Sequence, residues 1–166
     1  MKRIALPLLA ILIASFAYGQ DCKFKIDEPD PITGEHHLRQ DIMLKMTVFV
    51  GLEKKAGKLG FSAAVMVGGE QNFVVPVGTS FVLKLENGDT LSALSGNEVA
   101  PVSQIIGNSV FTMYGIGYEV DEKFMEALSS STPTFIRVRL GSGRLIDANI
   151  KKGAAKKIMK YAGCLK

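Results

Sequence analysis

Two adjacent histidines, His36 and His37, have side chains that could bind a metal ion or serve as a general base. A zinc site would need both imidazoles to point at one ion. If the pair begins an extended strand, the alternation of side chains sends the two rings to opposite faces. The pattern therefore predicts a solvated strand end, and we expect neither a metal nor a cofactor here.

Four carboxylates lie between residues 27 and 35, namely Asp27, Glu28, Asp30 and Glu35. Carboxylates in a loop can bind Ca²⁺, but this spacing is not that of an EF-hand loop, and two prolines stiffen the segment. A rigid polar connection is favoured, and a calcium loop is the alternative that the sequence leaves open.

No pattern typical of nucleophilic catalysis occurs in the sequence. Serine, histidine and aspartate are present, but not in the spacings of a nucleophile elbow, a Ser-x-x-Lys pair or a His-Glu-x-x-His helix. A catalytic cysteine needs a nearby base, and neither Cys22 nor Cys164 has a histidine within twelve positions. We therefore name no catalytic residue.

The last thirty residues are strongly basic. Nine lysines and arginines oppose the single acid Asp147: Arg137, Arg139, Arg144, Lys151, Lys152, Lys156, Lys157, Lys160 and Lys166. Lys152, Lys156 and Lys160 recur every four positions, so a helix would place them on one face. Such a face could contact an anionic glycan or lipid head group, or it could simply be solvated. Only Tyr161 is available for base stacking, so we expect no nucleic acid partner.

Residues 1–19 have the three parts of a secretory signal peptide. Lys2 and Arg3 precede an apolar stretch, and Ala17 and Gly19 are the small residues of a cleavage site before Gln20. The apolar stretch of roughly 15 residues is shorter than the ~20 that a spanning helix needs, so a retained anchor is the less favoured alternative. We expect export to the periplasm or beyond, no transmembrane segment in the mature chain, and a net charge of about +2.

Export changes what the two cysteines can do, because an oxidising compartment lets them pair. Cys22 begins the predicted mature chain and Cys164 lies near its end. We predict a disulfide bond between them, with free or intermolecular thiols as the alternative. In the chain-entropy model, a loop this long contributes roughly 4 to 5 kcal/mol to stability.

The elements that would position these residues are mostly strands. Apolar residues alternate from Ile42 to Val50, from Phe61 to Val67 and at Phe81, Leu83 and Leu85, which predicts half-buried strands. Asn87-Gly88 predicts a type I′ hairpin between Leu85 and Leu91. Gly141-Ser142-Gly143 predicts a second hairpin, with a three-residue turn. Gly115-Ile116-Gly117 lacks the third glycine of a dinucleotide site and predicts a strand instead.

Two helices are predicted. Asp121 is a good N-cap for a short helix near 121–129, and a Ser/Thr/Pro run ends it. Ala155, Ile158, Met159 and Ala162 form the apolar stripe of a carboxyl-terminal helix near 152–162, for which Gly163 is the expected stop. The segments 27–34, 53–58 and 95–108 are rich in Gly, Pro or charge and predict loops.

The order of these motifs resembles a group of small exported proteins of unknown function that are common in Bacteroidetes. Cys22-Lys23-Phe24, the Asp30–Gly34 stretch, Tyr118–Val120, Ile136-Arg137 and the lysine-rich segment Lys152–Cys164 carry the resemblance. It implies a small exported domain and no catalytic residue. His36-His37 is a departure from the pattern.

Together these features predict one α+β domain over residues 20–166, a mostly antiparallel β-sheet of about seven to nine strands with both helices packed on it. At 166 residues the chain can bury a sizeable core without a metal. We expect an exported binding or structural module that is not an enzyme, with a protein or an anionic surface as its partner. The alternatives are an anion-binding protein that uses the basic helix and, third, a hydrolase whose site forms only on folding.

Overall fold

Ten antiparallel strands and two helices make up residues 22–166, the part of the chain that the structure, a computed structural model, describes. The signal peptide predicted at residues 1–19 lies outside the described residues. In chain order the elements are β1 (Ile26–Pro29), β2 (His36–Lys45), β3 (Val48–Lys55), β4 (Lys58–Gly68), β5 (Ser80–Leu85), β6 (Thr90–Leu94), β7 (Val102–Ile106), β8 (Ser109–Val120), α1 (Glu122–Ser130), β9 (Pro133–Arg139), β10 (Leu145–Asn149) and α2 (Lys152–Leu165).

The strands form two sheets, one of six strands in the order β1-β2-β3-β4-β8-β7 and one of four in the order β10-β9-β5-β6. The predicted α+β class with two helices is confirmed, but the described strands number ten, above the expected seven to nine, and they do not share one sheet. A strand with one buried face has the same alternating pattern whichever sheet it joins, so the pattern could not show the division.

The alternation from Ile42 to Val50 covers two strands, not the one predicted. The chain reverses at Met46-Thr47, and Met46 is 84% exposed. A bulge near Lys45 shifts the register so that Ile42 pairs with Val50. Paired residues share a face, so even-numbered positions point inward on both strands, and the pattern runs through the turn without a break.

Both predicted hairpins are present, β5 with β6 and β9 with β10. The first turn is not type I′, since Gly88 has a positive φ of 94° but Asn87 does not. Instead, the Gly88 N–H donates to the Leu85 carbonyl and the Leu85 N–H donates to that of Asp89, which makes a three-residue loop. The loop ending at Gly143 has the same pattern of hydrogen bonds.

The inner face of the six-stranded sheet is covered partly by the four-stranded sheet and partly by the helices. An aromatic cluster lies where these layers meet. The Phe81 ring of β5 is 4.6 Å from Phe61 of β4 and 4.5 Å from Tyr118 of β8, measured between centroids. Phe124 of α1 contacts Phe61 at 5.8 Å and Phe81 at 6.0 Å. Each such pair contributes about 0.5 to 1.5 kcal/mol beyond the burial of its surface.

The first helix begins as predicted. The Asp121 carboxylate accepts a hydrogen bond from the Phe124 N–H at 2.8 Å, which caps an otherwise unpaired donor. Phe124, Met125 and Leu128 form its buried stripe. Helix α1 packs against α2, whose buried residues include Ala155 and Ala162.

Helix α2 continues beyond the predicted stop at Gly163 and ends at Leu165. Leu165 is completely buried, and its burial together with the bond at Cys164 holds the last turn in place. Glycine is a weak helix terminator when the residues after it are anchored by packing.

Cys22 and Cys164 form the predicted disulfide, with their Cα atoms 6.1 Å apart. A second tie lies beside it. The Tyr161 hydroxyl donates to the Lys23 carbonyl at 2.8 Å, and the Tyr161 ring lies 5.3 Å from that of Phe24. The segment before β1 is therefore joined to α2 by a covalent bond, a hydrogen bond and a ring contact.

Removing the disulfide should destabilise the protein without unfolding it, because most of the buried apolar residues lie in strands away from the termini. Cys164→Ser, or reduction of the parent, should lower the free energy of unfolding by about 2 to 4 kcal/mol. Urea unfolding followed by circular dichroism measures the loss. Thiol titration of the unfolded, unreduced parent should detect no reactive thiol, and two thiols per chain would contradict the bond.

Candidate functional site

Most of the lysines of α2 lie on its solvent-exposed side. Lys152, Lys156 and Lys157 are exposed, whereas Lys160 is half-buried with its ammonium 5.8 Å from the centre of the Tyr161 ring. The repeat in the sequence grouped Lys160 with Lys152 and Lys156. In the structure Lys157 is exposed as well, and Lys160 is only partly exposed. We call Lys152, Lys156 and Lys157 the basic face.

The amino-terminal end of α2 differs from that of α1. Helix α1 begins with an aspartate cap and an acidic residue in its first turn, Glu122, which complement the positive end of the helix dipole. Helix α2 has Lys151 at its N-cap position, where no side chain caps the helix, and it has no acid in its first turn. Lys151 and Lys152 therefore lie at the end of the helix where the dipole favours a negative charge.

No carboxylate in residues 22–166 forms an ion pair with the basic face. The acids of the described ion pairs belong to the six-stranded sheet and to β10. The folded chain thus leaves this positive charge to solvent or to a ligand.

Two other basic residues of the last thirty, Arg137 and Arg144, do not join this face. Arg137 is neutralised by a bidentate contact, its two nitrogens 2.8 Å and 2.7 Å from the oxygens of Asp147. The hydrogen bond to Arg137 holds the pKa of Asp147 below its usual value. Arg144 lies at the turn end of β10, and the five residues of that strand span about 17 Å before α2 begins.

The two histidines lie at the start of β2 and face different neighbours, as the strand alternation predicts. The Nδ1 atom of His36 is 3.1 Å from Asp27 of β1, and the Nε2 atom of His37 is 3.7 Å from Glu53 of β3. Within residues 22–166 no three His, Cys, Asp or Glu side chains converge as metal ligands would.

The acidic stretch before β2 forms a tight loop. One Asp30 oxygen accepts from the N–H groups of Ile32 and Thr33, each at 2.9 Å, and the Asp30 N–H donates to the Glu35 carbonyl. The hydrogen bonds from Thr33 and Ile32 lower the pKa of Asp30. This carboxylate therefore shapes the turn between β1 and β2.

A charged network covers the outer face of β2 and β3. Arg39 lies between Asp41 at 2.9 Å and Glu53 at 3.2 Å, and Lys25 reaches Asp41 at 2.8 Å. A Cβ atom on Gly51 would meet the Ser62, Asp41 and Arg39 side chains, so glycine there leaves room for the network. Partial burial alone would raise the pKa of Asp41, but hydrogen bonds from Lys25 and Arg39 outweigh it and lower this pKa.

The depressions next to the histidines offer no nucleophile. One of about 430 Å³ is lined by Gly34, Glu35, His36, Leu38, Lys54 and Gly57. Another of about 450 Å³ is lined by Glu28, Pro29, Asp30, Pro31, His37 and Lys55. Neither contains a serine, threonine or cysteine that a histidine could activate. The structure adds no residue to a hydrolytic mechanism at these two places.

Of the helices in residues 22–166, none is long and apolar enough to cross a membrane. Comparison with known proteins finds no match for this chain among family models, curated proteins or solved structures.

Stability should fall in acid because of Asp41. Its folded pKa is lower than that of an unfolded aspartate, near 3.9, so its contribution is present above that pH and disappears as the pH drops through the folded pKa. Urea midpoints measured from pH 6 down to pH 2 should therefore decline more steeply for the parent than for Asp41→Asn. Glu98→Gln, which changes an exposed loop acid, should keep the parent's slope; equal slopes for all three proteins would contradict the assignment.

Proposed function

We propose that the protein is an exported binding module whose basic face, Lys152, Lys156 and Lys157 of α2, docks on an anionic polymer or surface. The observation that carries the proposal is the absence of an ion pair at these three lysines in the described chain, next to a helix end without a side-chain cap. The ligand chemistry is that of sulfate, phosphate or carboxylate groups repeated along a glycan or displayed on lipid head groups.

The physical argument concerns the cost of this charge in the unbound protein. A lysine in the first turn of a helix, here Lys152, is unfavourable by about 0.3 to 1 kcal/mol, and the like charges of Lys152 and Lys156, four residues apart, repel. An anion held there would relieve both terms and could accept hydrogen bonds from the first N–H groups of α2. The same lysines therefore make the unbound helix less stable and attract the anion.

Two features that favour export support the proposal. The disulfide is the kind of bond that persists in oxidising compartments, and residues 1–19 have the pattern of a secretory signal peptide. The resemblance to small exported proteins points the same way. A periplasmic or secreted protein meets anionic glycans and lipid head groups directly.

Replacing Lys152, Lys156 and Lys157 with glutamine should weaken binding to anionic polymers and leave the fold intact. On a heparin column the triple variant should elute at lower salt than the parent, because fewer counterions are released when fewer cations bind. Its unfolding midpoint should equal or exceed the parent's, because the substitutions remove repulsion at the helix end.

The matched control is a glutamine triple at Lys54, Lys55 and Lys58, near the β3–β4 turn. It removes the same charge from another cluster, in which Lys58 is already paired with Glu119 at 3.3 Å. The control should stay near the parent's elution salt. If both triples elute together, only net charge matters and the basic face has no special role.

The export half of the proposal predicts cleavage between Gly19 and Gln20. Intact-mass spectrometry of the protein recovered from the periplasm or the medium should show a chain beginning at Gln20. A chain that keeps Met1 would remove export from the proposal. Heparin elution would still report on the basic face.

A further inference from the structure

We propose that the protein forms a symmetric dimer in which β7 pairs antiparallel with β7 of a second copy, extending the six-stranded sheet across a two-fold axis. Strand β7 is an edge of that sheet, and all five of its residues are exposed. Ile105 is 78% exposed, and Val102 and Ile106 are also largely open to solvent. The sequence predicted only a loop at this place.

The other sheet edges in the described chain are protected in ways that β7 is not. Strand β1 is four residues long and carries Asp27, Glu28 and Pro29. At β10, the Lys45 ammonium donates a hydrogen bond to the Asp147 carbonyl at 2.7 Å. The chain after β6 continues alongside β8, where Ser95 bridges Tyr118. Charge and proline within a strand are usual means of preventing pairing at an edge; none of the five residues of β7 is charged or a proline, although Pro101 comes directly before it.

The register shows that β7 has free main-chain groups on its outer side. The Val110 carbonyl accepts from the Gly69 N–H at 2.8 Å, so it faces β4 and not β7. Ile105 lies opposite Val110, and this pair is therefore not hydrogen-bonded. The N–H and C=O of Ile105 point away from β8, and the alternation gives Ser103 the same direction.

In a two-fold contact, the residues near the axis lie close to the same residues of the second copy, so β7 has to tolerate its own sequence as a neighbour. Any lysine on β7 would face a lysine or lie close to one. Yet no charged residue occurs from Val99 through Tyr118, a span that contains all of β7 and nearly all of β8. An edge without charge accepts its own copy with no like-charge repulsion.

Full overlap of the two strands fixes the pairing. Ser103 faces Ile105 of the second copy, Val102 faces Ile106, and the two Gln104 residues meet at the axis. Both members of each Ser103–Ile105 pair have outward main-chain groups, which supplies about four hydrogen bonds across the axis. The basic faces, which lie on the helix that packs against β2 and β3, end up far apart on the outer parts of the joined sheet.

Charge at the axis tests this pairing. Sedimentation velocity of the exported, disulfide-bonded protein, from about 1 µM to about 1 mM, should show a monomer–dimer equilibrium. Gln104→Lys and Gln104→Glu should each raise the dissociation constant about tenfold or more, because equal charges meet at the axis. An equimolar mixture of the two variants should dimerise at least as tightly as the parent.

The control is Ile32→Lys, which adds a lysine in an exposed loop next to the opposite edge of the sheet and should keep the parent's dissociation constant. Circular dichroism and the unfolding midpoint test whether each variant is folded. A Gln104 variant that does not fold is replaced by Ile105→Lys, which puts a lysine on the same edge. A parent that is monomeric throughout overturns the proposal. A dimer insensitive to Gln104, or a mixture that does not recover, overturns it as well.

Discussion

The contact of four aromatic rings, Phe61, Phe81, Tyr118 and Phe124, is the interaction on which the two-sheet arrangement depends. One ring comes from each of β4, β5, β8 and α1, so the cluster joins both sheets and a helix at one place. Truncating a buried ring to alanine typically costs about 3 to 5 kcal/mol, comparable to a large part of a domain's total stability. The Tyr118 hydroxyl is buried there without a partner, which keeps this tyrosine protonated by raising its pKa.

Because the small sheet and the helices cover only the inner face of the six-stranded sheet, its outer face and its β7 edge stay open. The two open regions have different chemistry. Arg39, Asp41 and Glu53 make a satisfied charged network at the β1–β3 side, whereas the β7 side carries no charge at all. Paired charges keep that part of the surface hydrated, whereas an edge strand without charge can pair with another strand. The same sheet therefore has a charged side and an uncharged one.

The basic face depends on the fold in a different way. Helix α2 contains two glycines and starts without a side-chain cap, so its own propensity for helix is modest. Its buried side chains, the disulfide and the Tyr161 contacts hold the helix in place. The exposed lysines of the basic face are not needed for this packing. If both proposals hold, a dimer presents two basic faces, and the second contact with an anionic polymer becomes intramolecular.

The sequence by itself determined the local elements, because they follow from short-range rules. Alternation predicted the buried strands, Asp121 predicted the start of α1, and the only two cysteines predicted their own bond. What depended on distant residues was decided by tertiary structure. The register between β2 and β3 hid a turn at Met46, and burial of Leu165 extended α2 past Gly163. Packing beside Tyr161 also leaves Lys160 less exposed than the other lysines of α2. Strand β7 became an edge only by pairing with β8, and no local pattern records which side of a strand will lack a neighbour.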